Sequence, residues 1–177
     1  MKKLILILAT LMLVSLSACE HSPQVPRPTD ADFDEFAFPY EFEATDLFGN
    51  AVTQESLGEK RAFFVYHWAT WCSPCVGSMP TLAELTSEYG EDVGFLALLS
   101  DFENNSANAV NIVQSANLPD NFIVISANAP SVQELLNDIK TGFVPTSAII
   151  TANNDYPESI TGKIGNDHRK ILDVITS

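Results

Sequence analysis

Two thiols separated by two residues, in the stretch Trp71-Cys72-Ser73-Pro74-Cys75, are the part of this sequence whose types and spacing can do chemistry. Residues three apart on the first turn of a helix share a face, so the two sulfurs can join and part without disturbing the rest of a fold. The preceding run from Ala62 to Trp68 is apolar almost throughout and reads as a central strand buried on both faces. A helix is expected from Cys72 to Tyr89, so the dithiol falls where a strand hands over to a helix. There Cys72 lies near unpaired backbone N–H groups and the positive end of the helix dipole, which lowers a thiol pKa and makes it the attacking thiolate. Cys75, one turn deeper, is expected to be shielded and to resolve a mixed disulfide.

Other uses of two cysteines have to be weighed. A four-cysteine zinc site needs a second pair, and the chain has only three cysteines. His67 is the nearby imidazole, but at the end of a buried strand it reads as packed, so no metal is expected. A purely structural disulfide is the second alternative. Its loop is so short that it removes little entropy from the unfolded chain, which makes stability a poor reason to have it. Nucleic acid is excluded as a partner on charge: 23 acidic against 9 basic residues give a net charge of −14, leaving no basic surface to neutralise phosphates.

The elements that must hold the dithiol alternate between short apolar strands and helical stretches, the pattern of an α/β layer fold. With 177 residues, 46% of them hydrophobic, the chain suits one ordinary domain. A strand from Phe42 to Phe48 ends in a Gly49-Asn50 turn. After the helix to Tyr89 come a strand from Val93 to Leu99, a helix near Ser106 to Ala116 and a strand from Phe122 to Ile125. Ser131 and Glu134 form a capping-box pattern opening a helix to Lys140. Thr146 to Thr151 and Ser159 to Ile164 read as a strand pair about an Asn153-Asn154-Asp155 turn, and Asp167 to Ile175 as a closing helix.

The N-terminus reads as an address. Lys2 and Lys3 precede an apolar stretch from Leu4, the layout of an export signal over residues 1–18. Its end, Leu16-Ser17-Ala18-Cys19, resembles the lipobox of bacterial lipoproteins, which implies a lipid anchor on Cys19 rather than a redox thiol. Residues 19–38 carry Pro23, Pro26, Pro28, Asp30, Asp32, Asp34 and Glu35, a composition that stays extended and solvated, and read as a tether. The folded domain is expected over residues 39–177.

Phe64 to Cys75, reading FVYHWATWCSPC, together with Gly142-Phe143-Val144-Pro145-Thr146, resembles the thioredoxin superfamily. The segment FEATDLFGNAVTQESLGEKRAFFVY resembles its exported TlpA/ResA branch of membrane-tethered thiol-disulfide oxidoreductases. The resemblance implies a thioredoxin-like fold, with a central mixed β-sheet flanked by helices and a strand extension at the N-terminus. By match, Cys72 and Cys75 take the nucleophilic and resolving roles, and Pro145 becomes a cis-proline facing them. Pro80 matches a proline that kinks the active-site helix. Trp68, Trp71 and Val144 line or support the substrate groove, with Ser73 and Pro74 between the cysteines. No cofactor is implied beyond the Cys72–Cys75 disulfide itself.

The departures from the family pattern concern proton handling. Thioredoxins place a buried Asp where this sequence has Tyr66, and many members of the exported branch carry a Glu where it has Ser78. Strand alternation lets only one of Tyr66 and His67 point toward the site, and by register it is Tyr66, a poor base at neutral pH. The expectation is an exported, lipid-anchored oxidoreductase exchanging disulfides with thiol proteins of the cell envelope. The reductase direction is favoured by Pro74, and electrons would come from a membrane thiol carrier. The competing class is a thioredoxin-fold binding module or copper-thiol chaperone without turnover. A copper site in such relatives uses wider cysteine spacing and a distant histidine, a role that His168 is not placed to fill. A peroxidase is set aside because Trp68-Ala69-Thr70-Trp71 lacks the proline of that pattern.

Overall fold

The computed structural model describes residues 34–139, 142–153 and 159–177. The expected signal segment, Cys19 and most of the expected tether therefore lie outside the described residues. A five-stranded sheet carries the domain: β5 (Ala62–Trp68), β6 (Val93–Leu99), β7 (Phe122–Ser126), β8 (Thr146–Ile150) and β9 (Ile160–Thr161), in the order β7-β6-β5-β8-β9. β5, β6 and β7 are parallel, β8 pairs antiparallel with β5, and β9 pairs antiparallel with β8. Ahead of it lie two antiparallel pairs, β1 (Phe36–Ala37) with β4 (Glu59–Lys60) and β2 (Glu43–Thr45) with β3 (Ala51–Thr53). This is the mixed sheet with an N-terminal strand extension that the sequence implies.

The helices are α1 (Ser73–Val76), α2 (Met79–Tyr89), α3 (Phe102–Ser115), α4 (Gln133–Asp138) and α5 (Asn166–Ile175). Both crossovers β5–β6 and β6–β7 step across the sheet in the same direction. Right-handed connections therefore place α1, α2 and α3 on one face. Alternate residues of β5 serve the two layers. Phe64, Tyr66 and Trp68 join Leu82 and Leu85 of α2, Val113 of α3 and Leu172 of α5 in one core. Phe63 and Val65 join Leu135 of α4 with Phe38, Phe42, Val52 and Leu57 of the extension in the other. Cover on both faces explains the nearly unbroken apolar runs of β5 and β6.

Several boundaries differ from expectation. Phe36 and Ala37, read as tether, pair with Lys60 and Glu59, and Phe38 is buried, so packing begins before residue 39. The helix expected from Cys72 to Tyr89 is two helices. Pro80 has no N–H and its ring would strike a carbonyl four residues back, so the chain breaks at Gly77-Ser78 and Pro80 falls in the first turn of α2. What reads as a kinking proline is thus a helix-starting one. The Ser131–Glu134 capping box does not form: Pro130–Val132 is a 3-10 turn, and the Ser131 hydroxyl donates to the Glu43 carbonyl at 3.3 Å. The expected end of that helix at Lys140 and the expected turn at 154–155 lie outside the described residues.

Gly94 of β6 pairs with Phe63, and a Cβ added there would sit 2.6 Å from a ring carbon of that phenylalanine. Gly94→Ala is expected to lower unfolding stability by about 1–3 kcal/mol through overpacking. An unchanged urea midpoint would show that the Phe63 ring can retreat.

Candidate active site

The dithiol is closed. Cys72 and Cys75 form a disulfide with a Cα–Cα distance of 5.2 Å. Cys72 is the N-cap of α1, in extended backbone geometry, and its sulfur accepts a hydrogen bond from the Cys75 N–H at 3.3 Å. Pro74 sits in the first turn, where a missing N–H costs nothing. Of the two sulfur residues, Cys72 keeps 4% exposure and Cys75 none, the order the sequence implies. A neighbouring N–H aimed at the sulfur favours its charged form once the disulfide opens.

Three chain segments meet at this end of the sheet. Trp68 closes β5 and is fully buried, while Trp71 is 71% exposed. β8 pairs antiparallel with β5 and their ladder ends at His67↔Thr146, which puts Pro145 beside Trp68 one step beyond. The Val144–Pro145 peptide bond is cis. Val144 packs against the core cluster that contains both cysteines, and Phe143 is 76% exposed. Ser73 is exposed between the cysteines.

Beneath the dithiol the structure places hydroxyls. Tyr66 is fully buried, and its OH donates to the Cys75 carbonyl at 3.3 Å. Burial pushes the phenol up to about 12, against a smaller opposing effect of the neighbouring Ser78 hydroxyl. Ser78, also fully buried, donates to the Pro74 carbonyl at 2.9 Å and accepts from the Ile164 N–H at 3.2 Å. It thereby ties the active-site helix to the segment after β9. Among the described residues no carboxylate is buried. His67 turns to the other layer, as alternation requires. Its Nε2 lies 2.8 Å from Ser100 Oγ, its Nδ1 has no partner, and burial lowers its pKa.

Sequence reasoning missed Thr70 and Asp101. Both Asp101 oxygens accept from Thr70, from its N–H at 3.0 Å and from its hydroxyl at 2.6 Å. Nothing in the local pattern announces a contact between residues 31 positions apart. The expected helix starts only near Ser106, so the sequence does not single out Asp101, whereas the structure makes it the N-cap residue of α3.

The fold and this site define a thioredoxin-like domain with a redox-type disulfide at the start of its first helix. The family model described as thioredoxin matches residues 41–118. The thiol-disulfide oxidoreductase ResA of Bacillus thuringiensis (strain Al Hakam) is 28% identical over 122 residues, which is 69% of this chain and 66% of that one. The match therefore spans just under two thirds of that relative's length. A thioredoxin-family thiol:disulfide interchange protein from Chlorobium tepidum TLS superposes with a TM-score of 0.63 at 21% identity, over 81% of this chain and 97% of that one. The pneumococcal exposed lipoprotein thioredoxin of Streptococcus pneumoniae strain TIGR4 gives 0.57 at 24% identity, over 75% and 98%. Over residues 41–118 the chain is similar to the thioredoxin family, its likeness to ResA runs over 122 residues, and its fold is thioredoxin-like.

His168 has a structural task at the start of α5. Its Nδ1 accepts the Gly165 N–H at 3.2 Å, so Nε2 carries the proton toward Ser147 Oγ at 2.8 Å. Burial lowers its pKa. The unfolded chain therefore binds a proton that the native ring refuses, and stability falls as pH drops below the ordinary value of 6.5. Above 6.5 the contribution is complete. Urea midpoints of wild type and His168→Gln at about pH 7.5 and pH 5.5 check this. Wild type is expected to lose more on acidification, and equal losses would contradict the assignment.

Proposed function

We propose that this protein is an extracytoplasmic thiol-disulfide oxidoreductase that reduces disulfides in envelope proteins through Cys72 and Cys75. The observation that carries the reading is the Cys72–Cys75 disulfide at the start of α1, with the Cys75 N–H on the Cys72 sulfur. In the reduced protein the Cys72 thiolate attacks a partner disulfide, forming a mixed disulfide and releasing one partner thiol. Cys75 then attacks the Cys72 sulfur, the second partner thiol leaves with a proton, and the intramolecular disulfide is restored. The partner is reduced by two electrons and the dithiol is oxidised by two. A membrane thiol carrier is the electron source that would reset it. Trp68, Trp71, Ser73, Pro74, Val144 and Pro145 form the groove and support around the dithiol. Tyr66 serves as a hydrogen-bond donor under Cys75 rather than as a base.

The ResA likeness and the exposed lipoprotein among the structural neighbours support the location. Residues 1–18 would be removed, Cys19 lipidated, and the acidic segment would hold the domain off the membrane.

Dithiothreitol-driven insulin reduction tests the activity: acceleration is expected from wild type, with loss on Cys72→Ser. No acceleration together with tight Cu(I) uptake would favour a binding module. Equilibration with glutathione tests the direction. A midpoint between about −270 and −180 mV is expected, and one near about −120 mV would reverse it.

The resolving step has its own signature. With a phenol at about 12 and a serine hydroxyl beneath Cys75, its rate should climb with pH into the thiol range near ~8.5. A rate already level from about pH 5 upward would reveal a carboxylate base that this account lacks.

A further inference from the structure

The turn after β6 spends its polar groups on the active-site loop. Asp101 occupies the N-cap position of α3, where an aspartate is among the preferred residues because its carboxylate accepts an otherwise orphaned N–H. It makes no such bond. Both oxygens go instead to Thr70, at 3.0 Å from the N–H and 2.6 Å from the hydroxyl. At the start of α3 the Asn104 and Asn105 N–H groups donate to the Asp101 carbonyl, at 3.2 and 2.9 Å, and Asn105 leaves helical geometry with φ −132° and ψ 18°.

Thr70 lies two residues before Cys72, and the Cys72 N–H closes back onto the Ala69 carbonyl at 3.1 Å. The carboxylate thus grips a tight turn whose far end is the nucleophilic sulfur. Its own footing is firm. The Ser100 N–H donates to the Trp68 carbonyl at 2.9 Å, and Asn128 Nδ2 bridges the Ser100 carbonyl at 3.0 Å and Glu103 at 2.8 Å.

We propose that Asp101 is a positioning residue for Cys72, its carboxylate diverted from capping α3 to clamp Thr70 and hold the turn that sets the Cys72 sulfur against the Cys75 N–H. Hydrogen bonds to a carboxylate are the stronger kind, which suits a clamp. Its effect is greatest in the reduced protein, where no covalent bond holds the two sulfurs together and only the backbone turn keeps Cys72 at the helix start. The proposal deepens the oxidoreductase reading and rests on it for its biological purpose, but the clamp can be measured without turnover.

The test follows alkylation of Cys72 by iodoacetamide from about pH 5 to about pH 10, read by mass spectrometry in a Cys75→Ser background. Thr70→Val keeps the carboxylate and removes the hydroxyl bond. It is expected to raise the inflection and slow alkylation about three- to tenfold at neutral pH, whereas Thr70→Ser stays within about twofold of the parent. Asp101→Ser can still cap α3 but is too short to reach Thr70. There the Thr70 amide is expected to exchange its hydrogen about tenfold faster while the thermal midpoint is kept. A Thr70→Val profile that overlays the parent, or an unchanged Thr70 amide in Asp101→Ser, overturns the clamp. A shifted profile, together with failure of the wild-type protein with both cysteines to reduce insulin, upholds the clamp and removes the oxidoreductase reading instead.

Discussion

One hydrogen bond organises this site, the one from the Cys75 N–H to the Cys72 sulfur. It exists because Cys72 caps a helix rather than lying inside one, and that helix lasts only from Ser73 to Val76. A longer helix is barred by Pro80, whose ring and missing N–H force a new start at Met79. The break frees the Pro74 carbonyl from the helical ladder, and Ser78 collects it while holding the Ile164 N–H on its other side. Ser78, at the break that Pro80 imposes, therefore anchors the helix to the segment after the edge strand β9. The dithiol can then open and close on a turn fixed at both ends, by Ser78 behind it and by the loop after Trp68 in front.

The chemistry beneath the sulfurs follows from that arrangement. Groups with hydroxyls, Tyr66 and Ser78, occupy the ground where a buried acid stands in many relatives of this fold. A buried carboxylate would need partners for its charge, whereas these hydroxyls are satisfied by the carbonyls of Cys75 and Pro74. The interior stays neutral and cohesive. The site gives up a proton acceptor and gains a well-bonded floor, so its reactivity depends on the thiols and on the backbone dipoles around them.

Much of this was legible from the residue order. The runs Ala62–Trp68 and Val93–Leu99 mark their own limits, because strands covered on both faces must be apolar from end to end. Alternation within β5 correctly sends Tyr66 toward the dithiol and His67 away from it. Local patterns failed where a side chain had a better distant partner. Ser131 looks like a cap but reaches Glu43, and Asp101, which lies ahead of the helix expected near Ser106, caps nothing with its side chain and reaches Thr70. In each case the residue type is right for capping, and tertiary structure brings a competing hydrogen-bond partner that no window of sequence contains. The onset of packing at Phe36 was hidden for a similar reason. Asp34 and Glu35 give the stretch a solvated composition, while Phe36 and Phe38 find Phe63 of the sheet, a contact that composition does not foresee.

The surface around the dithiol contrasts with the body that carries it. Trp71 and Phe143 stand exposed on the segments that lead to Cys72 and to Pro145, in a chain whose net charge is −14. A charged body of this kind governs the approach of partners over distances of about a Debye length, ~8–10 Å, and disfavours acidic ones. At contact the balance changes, because the exposed aromatic faces reward burial of apolar surface whatever the partner's charge. Under the proposed function, selection would be split between two ranges, long-range repulsion sorting partners by charge and short-range apolar contact holding a strand near the sulfur. Neither demands a titrating group at the site itself. That agrees with a design in which Ser78 and Asp101 are spent on holding the backbone still rather than on moving protons.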